Sequence, residues 1–547
     1  MRRRIGQYLM DCLSNVGVDK VFGVPGDFNL TFLDDIIGRT DMEWIGNTNE
    51  LNASYAADGY ARMKGISAMV TTFGVGELSA VNGIAGAFAE RVPVIQITGA
   101  PTQAVEQARK YVHHSLGEGN FDDYRKMYEP ITTTQAYITE ANAQLEIPRV
   151  INAALTESRP VHIHLPIDVA AKEIEVMEDY HYKMSKPADV SQYIDMVQAK
   201  LNSAERPVII TGHEINSFGL HELLEQFVNQ TGIPVAQLSL GKGAFNEESP
   251  YYMGIYDGSI AEERIKYYVD HSDAILNIGA KLTDSATAGF SYQFDIDDVI
   301  MLNHRNFKMN ETRDDNVALQ DLLIGLQSID FHFNGDYPMF KKPVPNDDVL
   351  DDTPLTQQTY FKMMQDFLNR DDVVIAEQGT SFFGAYDLAL TKTNKFIGQP
   401  LWGSIGYTLP ATLGSQLADG ERRNVLLIGD GSLQLTVQEM ATMIRLQLKP
   451  VIFIINNDGY TVERKIHGEN ALYNDIPMWD YKALPSVFGG NETVSVHEVD
   501  SSVSLQHAFN KINLQPNRMH VIEVKMAMHD APEKLNDIGK AFAKQNG

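Results

Sequence analysis

Among its 547 residues the sequence has one cysteine, Cys12, and three tryptophans, Trp44, Trp402 and Trp479. A single cysteine excludes an intramolecular disulfide and a thiolate zinc site, and it fits a reducing compartment. Cys12 shares a helical face with Ile5, Tyr8, Leu9, Leu13 and Val16, so it reads as a core residue rather than a nucleophile. Basic residues are scarce as well: 45 Lys and Arg against 72 Asp and Glu leave a net charge of −27. A surface this acidic repels nucleic acid and anionic membranes, and neither is an expected partner. An anionic ligand must then be held locally, by a metal or by a helix N-terminus. No apolar run approaches the roughly 18 residues that span a bilayer. Met1-Arg2-Arg3-Arg4 is not followed by the apolar stretch of a secretory signal, because Gln7, Asp11, Ser14 and Asn15 interrupt it. A cytoplasmic location is expected.

What is present is enough apolar material (44%) for large cores, in a chain too long for one of them. Short apolar runs alternate with amphipathic stretches. Val21–Val24, Ala68–Phe73, Pro93–Thr98 and Val161–Leu165 read as buried strands, with a helix over Glu77–Arg91. The pattern lapses at His181–Asp189, resumes with strands at Arg206–Gly212 and Ala274–Gly279, and lapses again over Asn334–Thr356. A third set holds Val373–Ala376, Val425–Ile428 and Val451–Ile455. The expectation is an α/β protein of three doubly wound parallel-sheet domains, at residues 1–180, 190–340 and 355–547.

One unit carries chemistry. Gly429-Asp430-Gly431 ends a strand, Ser432–Arg445 reads as the helix after it, and Asn456-Asn457 ends the next strand. Open parallel sheets bind ligands at that carboxyl edge. Gly431 lets the backbone approach phosphate oxygens, and the helix start offers free N–H groups. Asp430 and the Asn457 side-chain oxygen are hard ligands that, with a loop carbonyl, phosphate oxygens and water, suit octahedral Mg²⁺. The alternative is a pair of turn formers flanking a helix. A nicotinamide site fits poorly: Gly74-Val75-Gly76 has Ser79, and Gly429-Asp430-Gly431 has Gln434, where the third glycine belongs.

The chain resembles the thiamine diphosphate-dependent 2-keto acid decarboxylases over essentially its whole length, and within them looks most like the branched-chain keto acid and indolepyruvate/phenylpyruvate enzymes. The motifs are Val24-Pro25-Gly26-Asp27, Asn49-Glu50-Leu51-Asn52-Ala53, His113-His114, Gly379-Thr380-Ser381, Gly403-Ser404-Ile405-Gly406-Tyr407, Gly429-Asp430-Gly431-Ser432 and Asn457-Asp458-Gly459-Tyr460-Thr461-Val462-Glu463. The resemblance implies a pyrimidine-binding, a middle and a diphosphate-binding domain, with the thiamine diphosphate-binding fold in the first and third. It also implies homodimers, and dimers of dimers, in which two chains share each active site.

Its residue roles follow in the same way. Glu50 would protonate the cofactor's pyrimidine at N1′, so that the 4′-amino group can deprotonate C2. Asn47 and Glu50 also have capping-box spacing before an Ala-rich helix. Ile405 would wedge the cofactor into a bent shape; otherwise it is a core isoleucine. Asp27, His113, His114 and Glu463 would carry the later protons and hold the substrate carboxylate, although Asp27 could instead cap a helix from Phe28, and Glu463 could be a solvated helical charge. Gln378, Thr380, Gly403, Ser404, Gly429, Ser432, Tyr460 and Val462 would complete the cofactor site, with Gly459 as the carbonyl ligand of Mg²⁺. Gln378, Phe382, Phe383, Val462, Ile538 and Phe542 would line the substrate side. None of these is tryptophan, which implies a wide apolar pocket for branched or aromatic 2-keto acids. A pyruvate-preferring decarboxylase and an acetolactate synthase-like carboligase are the alternatives. The histidine pair with Glu463 favours protonation over coupling to a second keto acid.

Overall fold

A computed structural model of the chain describes residues 1–183 and 186–546, with side chains through 544. The N-terminal sheet has six parallel strands, in the order Glu43–Gly46, Lys20–Gly23, Ser67–Thr72, Val94–Ala100, Val161–Pro166 and Gln135–Tyr137. The C-terminal sheet runs Lys395–Ile397, Val373–Ala376, Asn424–Gly429, Val451–Asn456, Met519–Lys525 and Val494–Val499, again all parallel. Numbered along the chain, both sheets have the order 2-1-3-4-6-5. In both, the chain leaves the first strand in opposite directions to reach the second and third. The crevice between the carboxyl ends of strands 1 and 3 is therefore the natural ligand position.

The middle sheet departs from the all-parallel expectation. Five strands from Tyr252–Ile255 to Ile300–Asn303 are parallel, but Asn306–Met309 and Thr312–Asp314 extend it antiparallel. Only His304 and Arg305 separate Asn303 from Asn306, with Arg305 left-handed at φ 60°. Two residues can close a hairpin but cannot make the crossover that a parallel neighbour needs. Of the expected linker 181–189, residues 184 and 185 lie outside the described residues, and the rest has no helix or strand. Residues 334–356 likewise run without helix or strand.

Cys12 is fully buried in the Ile5–Ser14 helix, and burial pushes its thiol up to about 12. The helix expected over Ser432–Arg445 is two, Asp430–Thr436 and Glu439–Arg445. At the break, the Thr436 hydroxyl donates to the carbonyl of Gly406.

The outer two sheets meet through the helices Glu50–Lys64 and Thr408–Ala418. A Cβ on Gly59 would stand 2.1 Å from the Ala411 carbonyl oxygen, and one on Gly414 would stand 1.8 Å from that of Ala56. The two backbones touch. Tyr55, Tyr60, Tyr407 and Leu409 fill one core around them. Half-buried Arg62 bridges the buried Asp58 (2.7 Å) and Glu90 (2.8 Å), and Glu90 accepts hydrogen bonds from the Leu401 and Trp402 amides. No helix among the described residues is long and apolar enough to cross a membrane.

Candidate active site

At the C-terminal crevice, Asp430 opens its helix as the strand Asn424–Gly429 ends. Its carboxylate accepts the amides of Gly431 (2.7 Å), Gly459 (3.1 Å) and Asn457 (3.2 Å). Burial pushes it up to about 6, against those three hydrogen bonds. Among the described residues no basic side chain pairs with it. A buried carboxylate held only by backbone N–H groups is what a bound cation would compensate. The Asn457 side chain is buried beside it. A Cβ on Gly429 or Gly403 would meet nothing within 4 Å, so open space borders both backbones. Gln378 Oε1 is buried without a hydrogen-bond partner. Open cradle and unpaired carboxylate fit a diphosphate with a hard cation, and the orphan amide oxygen is free to accept from a donor group of a ligand. Gly431 is needed for a further reason: a Cβ there would fall 2.5 Å from the Tyr460 ring.

Two features of this half lie beyond the sequence reading. Glu377, fully buried at the end of the strand Val373–Ala376, accepts the amide and hydroxyl of Thr408 (3.1 and 2.6 Å) and the amide of Gln378 (3.1 Å). Burial pushes it up to about 7. It ties the Gln378–Thr380 turn to the start of the Thr408 helix. A polar residue ending an apolar strand is the signal that could have found it. The Ser404 hydroxyl faces Tyr55 (2.6 Å) and Asn82 (3.0 Å), which anchor the Gly403–Ile405 loop on the N-terminal domain. Ile405 is half-buried in that loop.

At the N-terminal crevice, His113 Nε2 lies 2.8 Å and His114 Nε2 3.8 Å from the Asp27 oxygens. One ligand atom from each of the three lies within 4.8 Å of the others, close enough for protons to pass directly or through one water. Phe28 stacks on His113 with centroids 4.9 Å apart. His114 is left-handed (φ 64°), and its carbonyl sits where a Cβ of Gly74 (φ 66°) would be, 1.8 Å away. Only glycine allows the histidine loop to rest there. Asp27 is not a helix cap: the next helix starts at Leu30 behind Asn29, and Asn29 Oδ1 accepts from Gly26.

Glu50 opens its helix, but the capping residue is Asn49, whose side chain accepts from the Asn52 amide. Asn47 instead donates to Glu439 (2.9 Å), which also accepts from the Thr48 hydroxyl (2.6 Å) and from Asn52 (2.9 Å). Capping-box spacing therefore does not explain Glu50. Its carboxyl has no ion-pair partner among the described residues, burial raises its pKa, and its Oε1 would lie 3.1 Å from a Cβ on Gly76. Nothing in the sequence flags Glu439, which holds the Glu50 turn from the other domain.

Phe382, Phe383 and Ile538 are at most 4% exposed and share one apolar cluster with the half-buried Val462 and Phe542. Glu463 is exposed on the short helix Thr461–Ile466. Ser432 lies in the first turn of the Asp430 helix, and Thr380 opens the helix after Gly379. No hydrogen bond or ion pair among the described residues joins Asp27, Glu50, His113 or His114 to Asp430, Asn457 or Glu463.

Comparison with known proteins decides the chemistry. Residues 3–123 match the N-terminal TPP binding domain of thiamine pyrophosphate enzymes, 194–323 the central domain and 379–524 the C-terminal TPP binding domain. The chain is 38% identical over 556 residues to pyruvate decarboxylase isozyme 1 of Saccharomyces cerevisiae, covering 99% of each chain. It is also 38% identical over 550 residues to an alpha-keto-acid decarboxylase of Mycobacterium leprae, covering 99% of this chain and 96% of that one. The chain belongs to the thiamine diphosphate-dependent 2-keto acid decarboxylases. Its reaction is the decarboxylation of a 2-keto acid, and its cofactor is thiamine diphosphate, with Mg²⁺ as the usual companion of the diphosphate. Similar relatives carry both the narrower pyruvate name and the broader alpha-keto-acid name.

Proposed function

We propose that this enzyme prefers branched-chain or aromatic 2-keto acids to pyruvate and releases the corresponding aldehyde. The observation that carries this is the apolar cluster of Phe382, Phe383, Val462, Ile538 and Phe542, which contains no tryptophan. Trp44 and Trp479 pack on other cores, and Trp402 donates to Asn82 at the domain junction. The second reading, a preference for pyruvate, is favoured by the near-complete burial of Phe382, Phe383 and Ile538, which would then fill the site.

Thiamine diphosphate supplies the electron sink for the bond to CO₂. In this reading Asp430, Asn457 and the Gly459 carbonyl hold Mg²⁺, and the amides beside Gly431 and Ser432 receive the diphosphate. Glu50 holds a proton at N1′, helped by the burial that keeps its carboxyl easy to protonate. Asp27, His113, His114 and Glu463 bind the substrate carboxylate and move the later protons. Two chains complete each site, one giving the Glu50 crevice and its partner the Asp430 crevice, in a homodimer or a dimer of dimers. The family resemblance supports this arrangement.

The test is kcat/KM for a panel of linear, branched and aromatic 2-keto acids. At least about a tenfold advantage of a branched or aromatic acid over pyruvate is expected. Pyruvate ahead of every larger acid would favour the second reading.

A further inference from the structure

The C-terminal helix Glu533–Asn546 carries Ile538 and Phe542 of the proposed pocket. Lys534, Ile538 and Phe542 are spaced i, i+4, i+8 and share one stripe of that helix. Lys534 is largely buried. Its Nζ donates to Asp257 Oδ2 and to the Ile260 carbonyl, both at 2.8 Å. Asp257 belongs to the middle domain and is 2% exposed.

The same oxygen of Asp257 also accepts the Tyr386 hydroxyl, at 2.9 Å. Tyr386 lies one turn beyond Phe382 and Phe383, at the end of the helix Thr380–Ala385, and its ring packs against both. One carboxylate oxygen of the middle domain thus anchors both the C-terminal helix and the Phe382–Phe383 helix. On its other side the C-terminal helix meets the helix of Val462 and Glu463 backbone to backbone: a Cβ on Gly539 would stand 2.9 Å from the Lys465 carbonyl oxygen. The helix has little freedom to rotate without breaking one contact or the other. Ile255, Ala288 and Ile260 of the middle domain join the same apolar cluster.

We propose that Asp257, through Lys534 and Tyr386, is a specificity-positioning residue: the middle domain sets the width of the substrate pocket by fixing the C-terminal helix against the Phe382–Phe383 helix. This rests on the assignment of those side chains to the pocket. A bystander ion pair, burying charge without guiding the helix, would affect stability alone.

Lys534→Met leaves Asp257 buried and unpaired, which by itself destabilises a fold. The double variant Lys534→Met/Asp257→Asn removes that charge. Hydrogen–deuterium exchange over residues 533–546 of the holoenzyme should rise by about tenfold in both variants. The ratio of kcat/KM for an aromatic over a short linear keto acid should change by about fivefold in both, mainly through KM. Lys534→Arg should restore a share of both signals. Unchanged helix exchange in Lys534→Met would overturn the latch whatever the substrate preference. A ratio that stays at the wild-type value, or returns to it in the double variant, would overturn its role in selectivity. The wild-type panel tests the pocket assignment separately.

Discussion

Glu377 offers the sharpest quantitative test of the C-terminal half. Its folded value of about 7 lies above the ordinary 4.5 because the carboxylate is fully buried, and the three donors from Thr408 and Gln378 only partly offset the lost hydration. For an acid the sign follows directly. Between the two values the folded chain binds more protons than the unfolded one, so the stability present below about pH 4.5 is lost as pH rises towards 7. The full difference is about 3 kcal/mol, at 1.36 kcal/mol per unit. Integrated from pH 5 to pH 8 it is about 2.5 kcal/mol. Glu377→Gln keeps the shape and most of the hydrogen bonding but cannot ionise. Its stability relative to wild type should therefore improve by that amount between pH 5 and pH 8. The assay is urea denaturation of the apoenzyme at the two pH values, followed by far-ultraviolet circular dichroism and fluorescence together. Comparing variant with wild type at each pH cancels every other titrating group. A difference independent of pH, or one that grows in favour of wild type at pH 8, would refute the reasoning.

Other outcomes follow from the same geometry. Asp430→Ala should lose Mg²⁺ and with it thiamine diphosphate in calorimetric titrations; unchanged affinity with and without chelator counts against the metal site. Glu50→Gln should slow hydrogen–deuterium exchange at cofactor C2 by orders of magnitude while altering cofactor affinity far less, and normal exchange would remove Glu50 from activation. Gly414→Val must force apart a pair of touching backbones and should cost at least about 3 kcal/mol in denaturation experiments, so wild-type stability would contradict the close packing. Phe382→Trp should penalise phenylpyruvate more than pyruvate in kcat/KM if this ring faces substrate.

Much of the fold is legible because buried parallel strands write themselves as apolar runs. Val373–Ala376 reads to the residue, and the strand ends at Gly429 and Asn456 lead to Asp430 and Asn457. The antiparallel strands of the middle domain escape such a reading: four residues on each side of a two-residue turn leave too little periodicity. Contacts between distant segments are invisible for a different reason. Glu439, Asp257 and Lys534 sit in ordinary helical or loop sequence, and their roles exist only once separate domains bring partners to them. Asn47 and Glu50 mislead because correct local spacing does not reveal which side chain the helix start uses; Asn49 does the capping.

The helix pair at Gly59 and Gly414 has a mechanical consequence. Where side chains separate two helices, rotamer changes can absorb sliding. Here carbonyl oxygens occupy the space of the missing Cβ atoms, and any relative displacement meets the main chain at once. The joint acts as a weld rather than a hinge. The two outer domains of one chain therefore move as one body, and freedom at the crevices falls to exposed segments that border them, such as the histidine loop.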